Sequence, residues 1–85
     1  MALAIKETIR RVKLIEGMTA RWIADTKEYR VNYKDGDEQS AYYTDDAIDA
    51  ISTALQMREW QIMNDAGSAA YKKAALENIR KQVTL

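Results

Sequence analysis

The sequence predicts an α+β fold in the order α-β-β-β-α-α, with a three-stranded antiparallel sheet over about residues 19–44 packed against helices. Three observations carry that expectation. Within residues 28–34, Tyr29, Val31 and Tyr33 alternate with Arg30, Asn32 and Lys34, the period of a half-buried strand. After Thr44 the period changes: Ile48, Ile51, Leu55 and Ile62 are spaced as one face of a helix. Three glycines, Gly17, Gly36 and Gly67, punctuate a chain that has no proline.

The first element, residues 2–16, places Ile5, Ile9, Val12 and Ile15 on one helical stripe. Val12 and Leu14 also alternate with charged residues, as a strand would require. The strong helix formers Ala2, Leu3 and Ala4 favour the helix. Gly17 then fits the position just past a helix end. Residues 19–25 and 28–34 read as two strands. Asp35-Gly36 is a two-residue hairpin signal, because such a turn needs positive φ. The returning strand is expected at about 39–44. A two-residue loop puts Tyr42 on the face of Val31, and a three-residue bulged loop puts Tyr43 there. Thr44 is a candidate cap for a helix over about 45–64, with Asp45 and Asp46 in its first turn. Ser68 is a candidate cap for a last helix over about 69–82, with Ala75, Leu76, Ile79 and Val83 on its apolar side. A sheet of three strands cannot shield both of its faces, so helices are expected on at least one.

Composition narrows the function classes. Eighty-five residues are expected to form one domain, 1–85, burying roughly 60–65% of the unfolded surface. There is no Cys and no His. That removes disulfides, thiol chemistry, the usual zinc and iron ligands, and the side chain best suited to proton transfer near neutral pH. No cofactor motif or Gly-rich phosphate loop is present, and no cofactor or metal is expected. No run of about 18 apolar residues occurs, and charges at Lys6, Glu7, Arg10 and Arg11 interrupt the start, so cytoplasmic residence is the expectation.

The net charge of zero hides an uneven layout. Residues 1–34 carry eight basic and four acidic side chains, residues 35–65 one basic (Arg58) and eight acidic, and residues 66–85 four basic and one acidic. Six carboxylates, Asp35, Asp37, Glu38, Asp45, Asp46 and Asp49, fall within fifteen residues with no Lys or Arg between them. Taken singly they are turn and helix-start residues. Taken together, beside Tyr42 and Tyr43, they form an acidic rim suited to a basic partner surface, since charge complementarity raises on-rate and fixes register.

Every aromatic here carries a polar handle: five Tyr, two Trp and no Phe. Such side chains are enriched at interfaces. Trp22 is expected in the core. Trp60 lies off the apolar stripe and, with Tyr71, is a candidate homodimer contact. A second binding reading uses the basic residues Arg10, Arg11, Lys13, Arg21 and Arg30 for nucleic acid. Interleaved Glu7, Glu16, Asp25 and Glu28 and a pI of about 6.2 weigh against it. Catalysis has little support: adjacent Asp45 and Asp46 on a helix point about 100° apart, so they do not share one site.

In layout the chain resembles the small, cysteine-poor α+β proteins that phages and mobile elements use against host defences, such as anti-CRISPR proteins. That resemblance implies an inhibitor that blocks a nucleic-acid-handling complex through an acidic or aromatic surface. The expected function is thus a non-enzymatic interaction module. It would present Asp35, Asp37, Glu38, Tyr42, Tyr43, Asp45, Asp46 and Asp49 to a larger protein or protein–nucleic-acid complex with a basic surface. The alternative is a small homodimeric nucleic-acid-binding or regulatory protein using Arg10, Arg11, Lys13 and Arg21.

Overall fold

The computed structural model describes residues 3–65 and 67–82. It has the expected α+β order: α1 (Ile5–Leu14), β1 (Met18–Ile23), β2 (Glu28–Tyr33), β3 (Tyr42–Thr44), α2 (Ala47–Met63) and α3 (Ala69–Gln82). The strands form one antiparallel sheet in the order β1-β2-β3. Ala2 and Val83, assigned to the first and last helices from sequence, lie outside the described residues.

The sheet register sorts its side chains into two faces. Met18, Ala20, Trp22, Tyr29, Val31, Tyr33, Tyr42 and Thr44 share one face, because Ala20 pairs with Val31, Val31 with Tyr42, and Tyr29 with both Trp22 and Thr44. That face meets α1 and α2. Tyr29 donates its hydroxyl to Thr8 Oγ1 at 3.3 Å, and Tyr33 donates to the Met57 carbonyl at 3.0 Å. Val12, Ile15, Met18, Val31, Ala50, Ile51 and Ala54 lie fully buried between the layers. At roughly 25 cal/mol per Å² of apolar surface, these contacts are the chief stabilising term in a chain without disulfides. Trp22 packs at the core margin, with its ring 4.9 Å from that of Tyr29 in an edge-to-face arrangement.

Helix α1 buries a line shifted from the expected stripe. Thr8, Val12 and Ile15 are buried, whereas Ile5 and Leu14 are exposed. Thr8 tolerates burial because its hydroxyl donates to the Ala4 carbonyl and accepts from Tyr29. Gly17, at φ +85°, makes the turn from α1 to β1.

The β2–β3 connection differs from the expected two-residue hairpin. It runs over residues 34–41, and β3 begins only at Tyr42 instead of about residue 39. Asn32 is the cause. Its amide donates to the Asp37 carbonyl at 2.9 Å, and its side-chain oxygen accepts from Ser40 Oγ and the Tyr33 amide. These bonds fold the loop back over Asn32 and leave it buried. Residues Glu38–Ser40 form a 3₁₀ turn capped by Asp37. Gly36 is not at positive φ. It is needed for space: an added Cβ would lie 2.4 Å from Asn32 Oδ1.

Helix α3 packs on α2 through buried Ile79 and half-buried Ala75 and Leu76, and Ser68 caps it by accepting from the Tyr71 amide. The molecule is flat and elongated, 42 × 29 × 14 Å between its Cα extents.

Candidate interaction surface

The segment Tyr42-Tyr43-Thr44-Asp45-Asp46 turns the corner from the edge strand β3 into α2. The N-cap is Asp46, two residues later than the Thr44 expected from sequence. Its carboxylate accepts from the amides of Ile48 at 2.8 Å and Asp49 at 3.2 Å. Thr44 instead is buried at the end of β3 and accepts from the Asp46 amide, fixing the entry angle. Asp45 is exposed between them and precedes the helix.

Asp49 stands three residues after the cap. It accepts from the Tyr42 hydroxyl at 2.7 Å and from Thr53 at 3.3 Å. The bond from Tyr42, followed by those from Thr44 and Thr53, holds the Asp49 carboxyl below its ordinary value of 3.8. The same bond to Asp49 raises the Tyr42 phenol. A charged carboxylate is therefore held in place by its neighbours at the helix's positive end.

The register question has an unexpected answer. Tyr42 does share the face of Val31, yet neither tyrosine is buried: Tyr42 is 38% and Tyr43 45% exposed. Tyr42 lies on the helix side, bonded to Asp49, and Tyr43 lies on the side turned away from the helices, opposite Arg30. Ile48, expected on the core stripe of α2, is 47% exposed. The side of α2 that faces the sheet instead carries buried Ala50, Ile51 and Ala54, with Ala47 half-buried beside them. The corner thus carries exposed Tyr42 and Ile48 with the carboxylates of Asp45, Asp46 and Asp49, while exposed Tyr43 stands on the other face of the same edge strand.

The other three predicted acids, Asp35, Asp37 and Glu38, lie in the β2–β3 loop at the opposite end of β3, all exposed. Asp37 is spent locally as a cap, accepting from the amides of Gln39 and Ser40. β3 itself spans only about 10 Å at 3.3 Å per residue, so the two acidic groups flank one short edge. No three carboxylates among the described residues converge closely enough to hold a metal ion.

The basic set is divided by the fold. Arg10 and Arg11 lie on α1 and both bind Glu7, at 2.6 and 3.0 Å. Hydrogen bonds from Arg10 and then Arg11 lower the Glu7 carboxyl to about 2. Lys13 is exposed on the same helix. Arg21 lies on the sheet face turned away from the helices, directly opposite Arg30, which in turn pairs with Tyr43. The structure therefore brings Arg21, Arg30 and Tyr43 into one cross-strand row and keeps Arg10, Arg11 and Lys13 apart from it. The two candidate dimer residues lie elsewhere: Trp60, 63% exposed, and Tyr71 line one cleft beside the α2–α3 connection.

Among the described residues, no helix is long and apolar enough to cross a membrane. Comparison with protein-family models, with curated proteins and with solved structures finds no match.

Proposed function

We propose that this protein is a non-catalytic interaction module whose β3–α2 corner docks on a basic surface of a larger protein or protein–nucleic-acid complex. One observation carries the reading. Within residues 42–49, exposed Tyr42 and Ile48 lie in one short segment with Asp45, Asp46 and Asp49, and exposed Tyr43 flanks them on the other face of the edge strand. Aromatic and aliphatic anchors with a charged rim are the anatomy of an energetic hot spot. The carboxylates are pre-positioned by the cap and by the Tyr42–Asp49 bond, which lowers the entropy lost on binding. In the sharper form of this proposal, the corner occupies a site meant for phosphate, as an inhibitor encoded by a phage or mobile element would.

The test needs care, because reversing Asp46 would also remove a helix cap. A Tyr43→Ala, Asp45→Lys variant leaves the cap intact. Tagged wild-type protein is used to capture partners from nuclease-treated lysate, read by mass spectrometry. The expected result is a stoichiometric protein retained by wild type and lost with the variant. Equal retention by both proteins would overturn the reading.

A second reading rests on the Arg21–Arg30–Tyr43 row. Like charges directly opposed on a sheet are unfavourable unless an anion joins them, and an adjacent aromatic could stack a base. It predicts capture that disappears with nuclease and with Arg21→Glu.

A further inference from the structure

Arg58 is the single cation among residues 35–65, and it lies on the inner side of α2 between Leu55 and Ile62. Its guanidinium sits against the Gly17 turn, where a Cβ would come within 3.3 Å of Nη1. Nη1 donates to Gln61 Oε1 at 2.6 Å, and Nε is buried with no hydrogen-bond partner. No carboxylate of the described residues forms an ion pair with it. The charge is therefore shielded from water on one side and answered only by a neutral amide. Such a charge attracts an anion more strongly than one in bulk water, because the local dielectric is lower.

Three clefts meet at this residue. The one between α2, α3 and the α1–β1 turn has a volume of about 300 Å³ and is lined by Arg58 with Glu16, Ile62, Tyr71, Ala74 and Asn78 among others. That size lies at the lower end of small-ligand sites, and the lining is mixed, with Glu16, Arg58, Asn78 and the Tyr71 hydroxyl set against the apolar Ile62, Ala74, Ala75 and Ile79. Adjoining clefts of about 480 and 320 Å³ share Arg58 and Gln61.

We infer that this cleft binds an organic monocarboxylate with an apolar body, its carboxylate on Arg58 and its body against Ile62, Ala74 and the Tyr71 ring. Asn78 supplies a further polar group beside the carboxylate. Glu16 on the facing wall selects the class. It adds repulsion for any anion, which a single negative charge on an apolar body offsets more easily than a doubly charged phosphate does. The inference is independent of the corner proposed above, since it involves neither β3 nor the start of α2.

The test is a titration of the full chain followed by ¹H–¹⁵N NMR, including the arginine Nε–H signals. The probes are 4-methylpentanoate, N-acetyl-leucine, N-acetyl-leucinamide and inorganic phosphate. Saturable shifts at Gly17, the Arg58 Nε–H and the Asn78 side chain are expected with the two acids and not with the amide. Saturation by N-acetyl-leucine but not the smaller acid would support the site and identify a peptide C-terminus as its source; the reverse would support it and identify a free acid. Arg58→Met should weaken binding by about tenfold or more, as loss of a charged hydrogen bond requires. Ala74→Leu, which fills the cleft and leaves Arg58 in place, should abolish it. Absence of saturable shifts with either acid, equal binding of the amide, equal or tighter binding of phosphate, or unchanged affinity in folded Ala74→Leu would each overturn the assignment.

Discussion

The two ends of α2 handle charge in opposite ways. At its start, each carboxylate of Asp46 and Asp49 is satisfied within a few residues of itself, by the amides of Ile48 and Asp49 and by Tyr42 and Thr53. Towards its end, Arg58 is placed by a distant turn, Gly17, and keeps an unmade hydrogen bond. The first arrangement stabilises the helix whether or not anything binds there. The second contributes little that an apolar side chain would not. A charge kept without a stabilising role is the stronger pointer to a ligand, while the corner's claim rests on what surrounds its charges: two tyrosines and an isoleucine left in water.

Substitutions can break or sharpen this contrast. The largest effect should come from Ile51→Ala, between the two ends. Ile51 is fully buried, and its truncation should reduce stability by about 2–5 kcal/mol in chemical denaturation. A loss below 1 kcal/mol would mean that the sheet and helix layers are not held as described. Next, Gly17→Ala forces a side chain into φ +85° against Arg58. It should be destabilising by about 1–2 kcal/mol, and Arg58→Met in the same background should relieve part of that. Additive effects would separate Gly17 from Arg58.

Asp46→Ala should reduce stability by about 1 kcal/mol, whereas Asp46→Asn should retain most of it because the amide oxygen still caps. Equal losses for both would shift the role of Asp46 from hydrogen bonding to charge. Arg58→Met alone should be close to neutral, within about 1 kcal/mol, because a half-buried cation with an unpaired donor is exchanged for an apolar chain of similar length. A loss of several kcal/mol would make Arg58 a structural residue and erase the contrast.

The smallest effect concerns pH. The Asp49 carboxyl is depressed in the folded protein, first by the Tyr42 hydroxyl. Its contribution to stability is therefore present above the ordinary value of 3.8 and is lost as pH falls through the lower folded value. Tyr42→Phe removes that first donor. The Asp49 carboxyl, followed by ¹³C NMR, should then titrate closer to 3.8, and the acid-side loss of stability should become shallower. An unchanged titration would show that the phenol bond is not made in solution.

Element order was legible because it depends on local periodicity. The alternation around Val31 and the cap at Ser68 need no knowledge of the rest of the chain. The structure departs from local periodicity where one side chain reorganises its surroundings. Asn32 looked like an outward strand residue, yet it draws Asp37 and Ser40 over itself and shortens β3. Ile48 looked like core, but the buried face of α2 runs through Ala50, Ile51 and Ala54, which leaves Ile48 exposed. Of the candidate acids, the sequence located the corner but not the cap, since Thr44 and Asp46 are both good capping residues. Arg58 did leave a signal: a lone cation at core spacing between Leu55 and Ile62. Without the position of Gly17, nothing marked it as more than a solvated arginine.

The central claim is that the corner, and not another acidic patch, is where a basic surface docks. Titration of the ¹⁵N-labelled protein with deca-lysine tests it directly. The account predicts saturable shifts centred on the amides of residues 42–49 and weaker at the Asp35–Glu38 loop, reversed at about 1 M salt, where the Debye length falls to about 3 Å. Shifts centred instead on Glu16, Glu59 or Asp65, or spread evenly over all the carboxylates, would contradict it.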